Sequence, residues 1–223
     1  MKQVLGFDVY GTLIDTHGVI DLLEAMIGHS ATRFSIAWRE KQLEYTFRRG
    51  LMGCYRDFSV CTRDALEHTA QSLGYSLTEN QFQILINSYQ NLPVFPDVVS
   101  GLEKLTKTNC EMYAFSNGQR EAVDLVLENA GIRKFFGETV SVDDVKTFKP
   151  SPKTYRYFME FTKSNPENAW LISSNGFDII GAAAMNMNTL WVRRNKQVVL
   201  DTWEYEPTDV IDSLDHIVEY IGV

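Results

Sequence analysis

The run Gln3-Val4-Leu5-Gly6-Phe7-Asp8, continued by Val9-Tyr10-Gly11-Thr12-Leu13, decides the fold. It reads as a short buried strand that ends at an acid, with a glycine where the chain must turn. Four more apolar runs share its character, at 111–115, 138–142, 169–173 and 189–193. Helical patterns separate the later ones. Residues 118–130 are periodic and stop at Gly131, a predicted C-cap. Residues 151–162 carry Tyr155, Phe158 and Phe161 at helical spacing, and 176–185 form a helix of small residues. Strands that alternate with helices predict an α/β protein, a parallel sheet with helices on both faces.

Residues 15–96 break the alternation. Only helical patterns occur there, at about 18–28, 32–50, 58–73 and 78–90, where a single crossover would suffice. The simplest reading is a helical subdomain inserted after the first strand, entered after Leu13 and left near Leu92-Pro93-Val94-Phe95-Pro96. The core then comprises 1–14 and 97–223, and the cap 15–96.

With 223 residues and 44% hydrophobic, the chain has the make-up of an ordinary globular protein of one or two domains. No apolar run approaches the roughly 20 residues that span a bilayer, and the first residues lack the features of a signal peptide. A net charge of −8 argues against a broad nucleic-acid surface. Cys54, Cys61 and Cys110 have no zinc spacing and read as reduced thiols, so a cytoplasmic location is expected.

In a parallel sheet, ligands bind beyond the carboxyl ends of the strands. The polar residues at those ends are Asp8, Tyr10 and Thr12; Ser116, Asn117 and Gly118; Asp143 and Asp144, then Lys149; and Ser173, Ser174, Asn175 and Asp178. On this pattern Asp8 serves as a nucleophile, a metal ligand or a turn cap. Lys149 at a neighbouring strand end would keep it ionised. A magnesium site normally takes more than one carboxylate. Yet the position two after Asp8 is Tyr10, and the Ser173-Ser174-Asn175-Gly176-Phe177-Asp178 loop offers one acid. A metal is disfavoured. No Gly-x-Gly-x-x-Gly follows a strand, so no nucleotide cofactor is expected. The four histidines share no motif and read as surface or packing residues.

Phe7-Asp8-Val9-Tyr10-Gly11-Thr12-Leu13 resembles the opening motif of the haloacid dehalogenase superfamily. Trp38-Arg39-Glu40-Lys41-Gln42-Leu43-Glu44-Tyr45, Ser116-Asn117-Gly118, the Lys149-to-Tyr155 segment and the Ser173-to-Asp178 loop narrow this to a resemblance to the L-2-haloacid dehalogenases. It spans nearly the whole chain. It implies a Rossmann-like core with an inserted four-helix cap, and hydrolysis of short L-2-haloacids to D-2-hydroxy acids through an aspartyl ester, without a cofactor or metal.

By resemblance, Asp8 is the nucleophile, and Thr12, Ser173 and Asn175 orient its carboxyl group. Asp178 orients Lys149 and helps activate water, while Tyr155 joins the same network. Ser116 holds the substrate carboxylate with Lys149 and amides near Tyr10. Arg39, with Asn117 and Phe177, meets the departing halide, where a fixed positive charge is needed. Tyr10, Leu43 and Phe58 wall the carbon that reacts. Phe177 stands where some members have Trp. A homodimer and a small-molecule substrate are further implications. The competing readings are a magnesium-dependent phosphatase of the same superfamily, which Tyr10 opposes, and a non-catalytic binding relative, in which Asp8, Arg39 and Lys149 would have no use.

Overall fold

The computed structural model describes residues 2–222. Among them six parallel strands form one sheet: β1 Gln3–Phe7, β2 Cys110–Ser116, β3 Thr139–Ser141, β4 Ala169–Ser173, β5 Asn188–Val192 and β6 Asp209–Ile211, in the order β3-β2-β1-β4-β5-β6. The order reverses direction at β1, so β1 lies beside the switch point where ligands collect in such sheets. Val4, Leu5 and Phe7 are buried, as a central strand covered on both faces requires. Register places the site. Phe7 lies opposite Ala114 and Ile172, and the Asp8 N–H donates to the Ile172 carbonyl at 3.0 Å. Asp8 therefore leaves the sheet next to Ser173.

Between β1 and β2 come the helices α1 Ile20–Ile27, α2 Ala31–Leu51, α3 Phe58–Ser72 and α4 Glu79–Ser88, then α5 Val98–Leu105. The buried face of α2 runs Ala31, Phe34, Ser35, Trp38, Gln42 and Thr46, the three-to-four spacing of one helical stripe. The Asp57 side chain caps α3 through the Val60 N–H, and Thr78 and Gln81 form a capping box on α4. After β2 follow α6 Arg120–Asn129, α7 Pro152–Thr162, with proline at its start, and α8 Gly176–Ala183.

The helical segment hangs from two adjacent crossovers. The Asp15 N–H donates to Pro93 O at 2.8 Å, and the Phe95 N–H to Leu13 O at 3.1 Å. Arg194, just beyond β5, ties both together. Its Nη2 donates to Thr12 O at 2.8 Å and its Nη1 to Asp97 Oδ2 at 2.6 Å.

Several elements differ from the sequence reading. The pattern at 78–90 divides into α4 and a separate 3-10 turn, Tyr89–Asn91, and α1 is preceded by a 3-10 turn at Thr16–Val19. Neither β6 nor α5 was anticipated. β6 has three residues with Val210 exposed, too short and too open to show a period. α5 buries Val98, Leu102 and Leu105 directly after the two prolines read as a boundary.

Candidate active site

Gly11 adopts φ +88°, a left-handed conformation in which any side chain would be strained. This turn folds Thr12 back onto Asp8. Thr12 donates its hydroxyl to Asp8 Oδ2 at 2.8 Å, Asn175 donates Nδ2 to the same oxygen at 2.6 Å, and Ser173 adds its hydroxyl at 3.3 Å. Among the described residues Oδ1 takes a single donor, Lys149 Nζ at 3.4 Å. One carboxylate oxygen is thus held by three donors and the other retains free lone pairs. Ser174 braces the arrangement by donating its N–H to Thr12 Oγ1 at 2.9 Å and its hydroxyl to Gly11 O at 2.5 Å.

Lys149 is 1% exposed. A buried ammonium is costly unless every proton is used. Here Nζ donates to Phe115 O and Asp178 Oδ2, both at 2.8 Å, besides Asp8, and lies 3.9 Å from the centroid of the Phe115 ring. The Lys149 N–H donates to Asn117 Oδ1 at 2.9 Å. Asp178, in the first turn of α8, is fully buried and receives the Tyr155 hydroxyl on Oδ1 at 2.7 Å. A side chain on Gly181 would meet the Tyr155 hydroxyl at 2.4 Å, so the glycine is what admits it. Burial pushes the Asp178 carboxyl up to about 6, against the pull of Lys149 and with Asp8 adding to the rise. Burial beside Asp178 also holds the Tyr155 phenol well above its usual range.

The helical side supplies Arg39, half-buried on α2. Its Nη2 donates to Tyr10 O at 3.2 Å, the carbonyl that also takes Asn175 Nδ2 at 3.1 Å. Burial lowers the Arg39 pKa, opposed by Tyr89, Asp8 and Tyr10. Glu44, five positions on, pairs with Lys41 and Arg48. The Tyr10 ring stacks on Phe58 at 5.9 Å, with Tyr89 6.2 Å away. These three rings line a cavity of about 110 Å³ that reaches Gly118. A larger cavity of about 520 Å³ opens past Lys149 and Phe177, with Phe47, Leu51 and Trp203 among its walls.

The structure therefore brings Asp8, Thr12, Lys149, Ser173, Asn175, Asp178 and Tyr155 into one hydrogen-bonded network, with Tyr10, Phe58 and Arg39 above it. Ser116 is buried at the end of β2 and accepts the Gly118 N–H at 3.1 Å. Asn117 is spent on the Lys149 backbone through its oxygen, which leaves its amide nitrogen as donor. Phe177 packs edge-on against Phe47 at 5.1 Å. Leu43 is half-buried one turn beyond Arg39 and outside the lining of either cavity. Sequence reasoning passed over Gln42, Thr62, Tyr89 and Phe115. Only Gln42 left a trace, as a polar residue on the apolar stripe of α2.

A divalent ion does not fit. Among the described residues no three His, Cys, Asp or Glu side chains gather into a metal-binding group, and the Lys149 ammonium stands within 3.4 Å of Asp8 and 2.8 Å of Asp178.

The switch-point carboxylate, the buried lysine between it and Asp178, and the helices that reach it from the β1–β2 insertion define a class: a Rossmann-like α/β protein with an acid–lysine centre under a helical cap. The haloacid dehalogenase-like hydrolase family matches residues 2–186, and the chain belongs to that family. It is 35% identical to (S)-2-haloacid dehalogenase 2 of Pseudomonas sp. (strain CBS-3), over 97% of this chain and 95% of that one. It is 33% identical to (S)-2-haloacid dehalogenase of Pseudomonas putida, over 96% and 95%. Among solved structures, L-2-haloacid dehalogenase from Xanthobacter autotrophicus with chloropropionic acid covalently bound superposes with a TM-score of 0.93, at 29% identity, covering 100% of this chain and 99% of the other.

Proposed function

We propose that this protein hydrolyses short-chain L-2-haloacids to D-2-hydroxy acids through an ester on Asp8. The observation that carries the reading is the asymmetry of the Asp8 carboxylate. Oδ1, with one long contact to Lys149, attacks C2 from the face opposite the halogen. The carbon–halogen bond breaks, halide leaves with the electron pair, and C2 inverts. Oδ2 becomes the ester carbonyl oxygen. Water then adds to the Asp8 carbonyl carbon, and the charge that develops on Oδ2 falls on Thr12, Ser173 and Asn175, already aimed at it. Collapse breaks the ester bond, the leaving oxygen takes the remaining proton of the added water to give the hydroxy acid, and Asp8 returns to its carboxylate. The water proton passes toward Asp178, whose carboxyl near 6 suits acceptance at neutral pH, with Lys149 bridging the two acids.

Ser116 has its oxygen committed to Gly118, so its proton is available to a substrate carboxylate. Arg39 supplies the cation for halide, with Asn117 and Phe177 beside it, and Tyr10 and Phe58 shield C2. In this reading 1–14 and 97–223 form the catalytic core and 15–96 the cap. We also read the protein as a cytoplasmic homodimer. The exposed Leu51 and Met52 at the end of α2 support a contact on the cap, which sedimentation analysis tests. Among the described residues no helix is long and apolar enough to cross a membrane.

The test is halide release from L-2-chloropropionate with a chelator present, with D-lactate as product. Turnover of the D-enantiomer at an equal rate, retention at C2, or rescue of a chelated enzyme by magnesium would overturn the assignment.

A further inference from the structure

Gln42 is fully buried, yet it is polar, on the apolar stripe of α2. An apolar residue of the same size would fill that place at lower cost unless the amide has a task. Its partners indicate one. Arg39 Nη1 donates to Gln42 Oε1 at 2.6 Å, and Gln42 Nε2 donates to Thr62 Oγ1 at 2.5 Å. The Thr62 hydroxyl donates to Phe58 O at 2.8 Å, and the Trp38 indole N–H donates to Thr62 O at 2.9 Å.

The chain of bonds has a direction. The Thr62 hydroxyl has one proton, and it goes to Phe58 O, so Thr62 must accept from Gln42. The amide is thereby oriented with its nitrogen toward α3 and its oxygen toward Arg39. The guanidinium is held at both ends, by Gln42 through Nη1 and by Tyr10 O through Nη2. Phe58, whose carbonyl starts the relay, stacks on the Tyr10 ring and so closes a circuit across the crevice. Arginine has a long, flexible side chain, and a fixed fork of donors acts on a developing charge only when it is already aimed.

We infer that Gln42 is a positioning residue for dehalogenation: it holds Arg39 in the orientation that meets the departing halide. The inference rests on the function proposed above. An interaction that strengthens as the carbon–halogen bond breaks acts on turnover more than on binding. It also matters more for chloride, the poorer leaving group, than for bromide.

The experiment is single-turnover halide release, enzyme in excess, from L-2-chloropropionate and L-2-bromopropionate, which reads bond cleavage free of ester hydrolysis. Gln42→Met keeps the length of the side chain and removes both hydrogen bonds. Its rate on the chloro acid should fall about tenfold or more, with a clearly smaller loss on the bromo acid and KM within about threefold of wild type. Thr62→Val, which frees the amide without touching Gln42, should show the same selective loss in weaker form, and Thr62→Ser should restore it. If Gln42→Met does not fold, the Thr62 pair carries the test. Equal losses on the two halides, a change confined to KM, or wild-type rates would overturn the inference alone. A wild-type enzyme that releases no halide from either substrate would instead overturn the dehalogenation reading beneath it.

Discussion

Replacing Lys149 by methionine removes the cation from a buried group of acids while keeping an unbranched side chain of similar length. Asp178 is wholly buried, its Oδ2 2.8 Å from Nζ, and its carboxyl already stands at about 6 because burial outweighs the pull of Lys149. Without the ammonium that pull is lost, and the carboxyl rises further. An acid whose native pKa lies above its unfolded value of about 4 contributes stability that is fully present below that value, and is lost as pH rises through the native one. In the wild type this loss is nearly complete a little above the native value, since Asp178 is then ionised in both states. In Lys149→Met it continues at about 1.4 kcal/mol per pH unit for as long as Asp178 stays protonated in the folded chain. From about pH 6 to about pH 8 the stability gap between the two proteins should therefore widen by about 2 kcal/mol, a sizeable share of a domain's 5–15 kcal/mol. Urea unfolding of both proteins across that range, compared at equal m-values, measures the gap. A gap that does not change with pH would refute the reasoning, because lost packing alone carries no proton.

Asp8→Asn should abolish turnover while leaving the fold intact. In wild-type single turnover in labelled water, the label should enter Asp8; label found first in the hydroxy acid would refute the ester route. The rate of dehalogenation should fall as pH drops through about 6, where Asp178 gains its proton, and an acid limb that persists unchanged in Asp178→Asn would assign it elsewhere. Arg194→Met frees the Thr12 carbonyl and Asp97 together. It should cost about 2–3 kcal/mol by urea unfolding, in the range of charge-assisted hydrogen bonds, and should slow turnover because Thr12 also holds Asp8. A stable variant with wild-type turnover would show that the two crossovers hold without it.

The primary chain by itself determined the core architecture and the address of Asp8. Apolar runs that alternate with helical patterns leave little besides a parallel sheet. An acid at the end of the first run, with Gly11 behind it, must then lie at the sheet's carboxyl edge. Tyr10 two positions on, and a single acid in the Ser173-to-Asp178 loop, disfavour a metal on sequence alone. These are local signals, written in periodicity and in turn chemistry. Tyr89, Phe115 and Arg194 left almost no such signal, because their partners lie on other elements: Arg194 meets Thr12 across 182 positions of sequence. β6 was invisible for a related reason, as three residues at an open edge bury too little to impose a pattern. The division of labour between the two oxygens of Asp8, and the raised carboxyl of Asp178, were likewise decided only by tertiary structure. Hydrogen-bond direction and desolvation depend on what surrounds a group in space, and the order of residues along the chain does not state it.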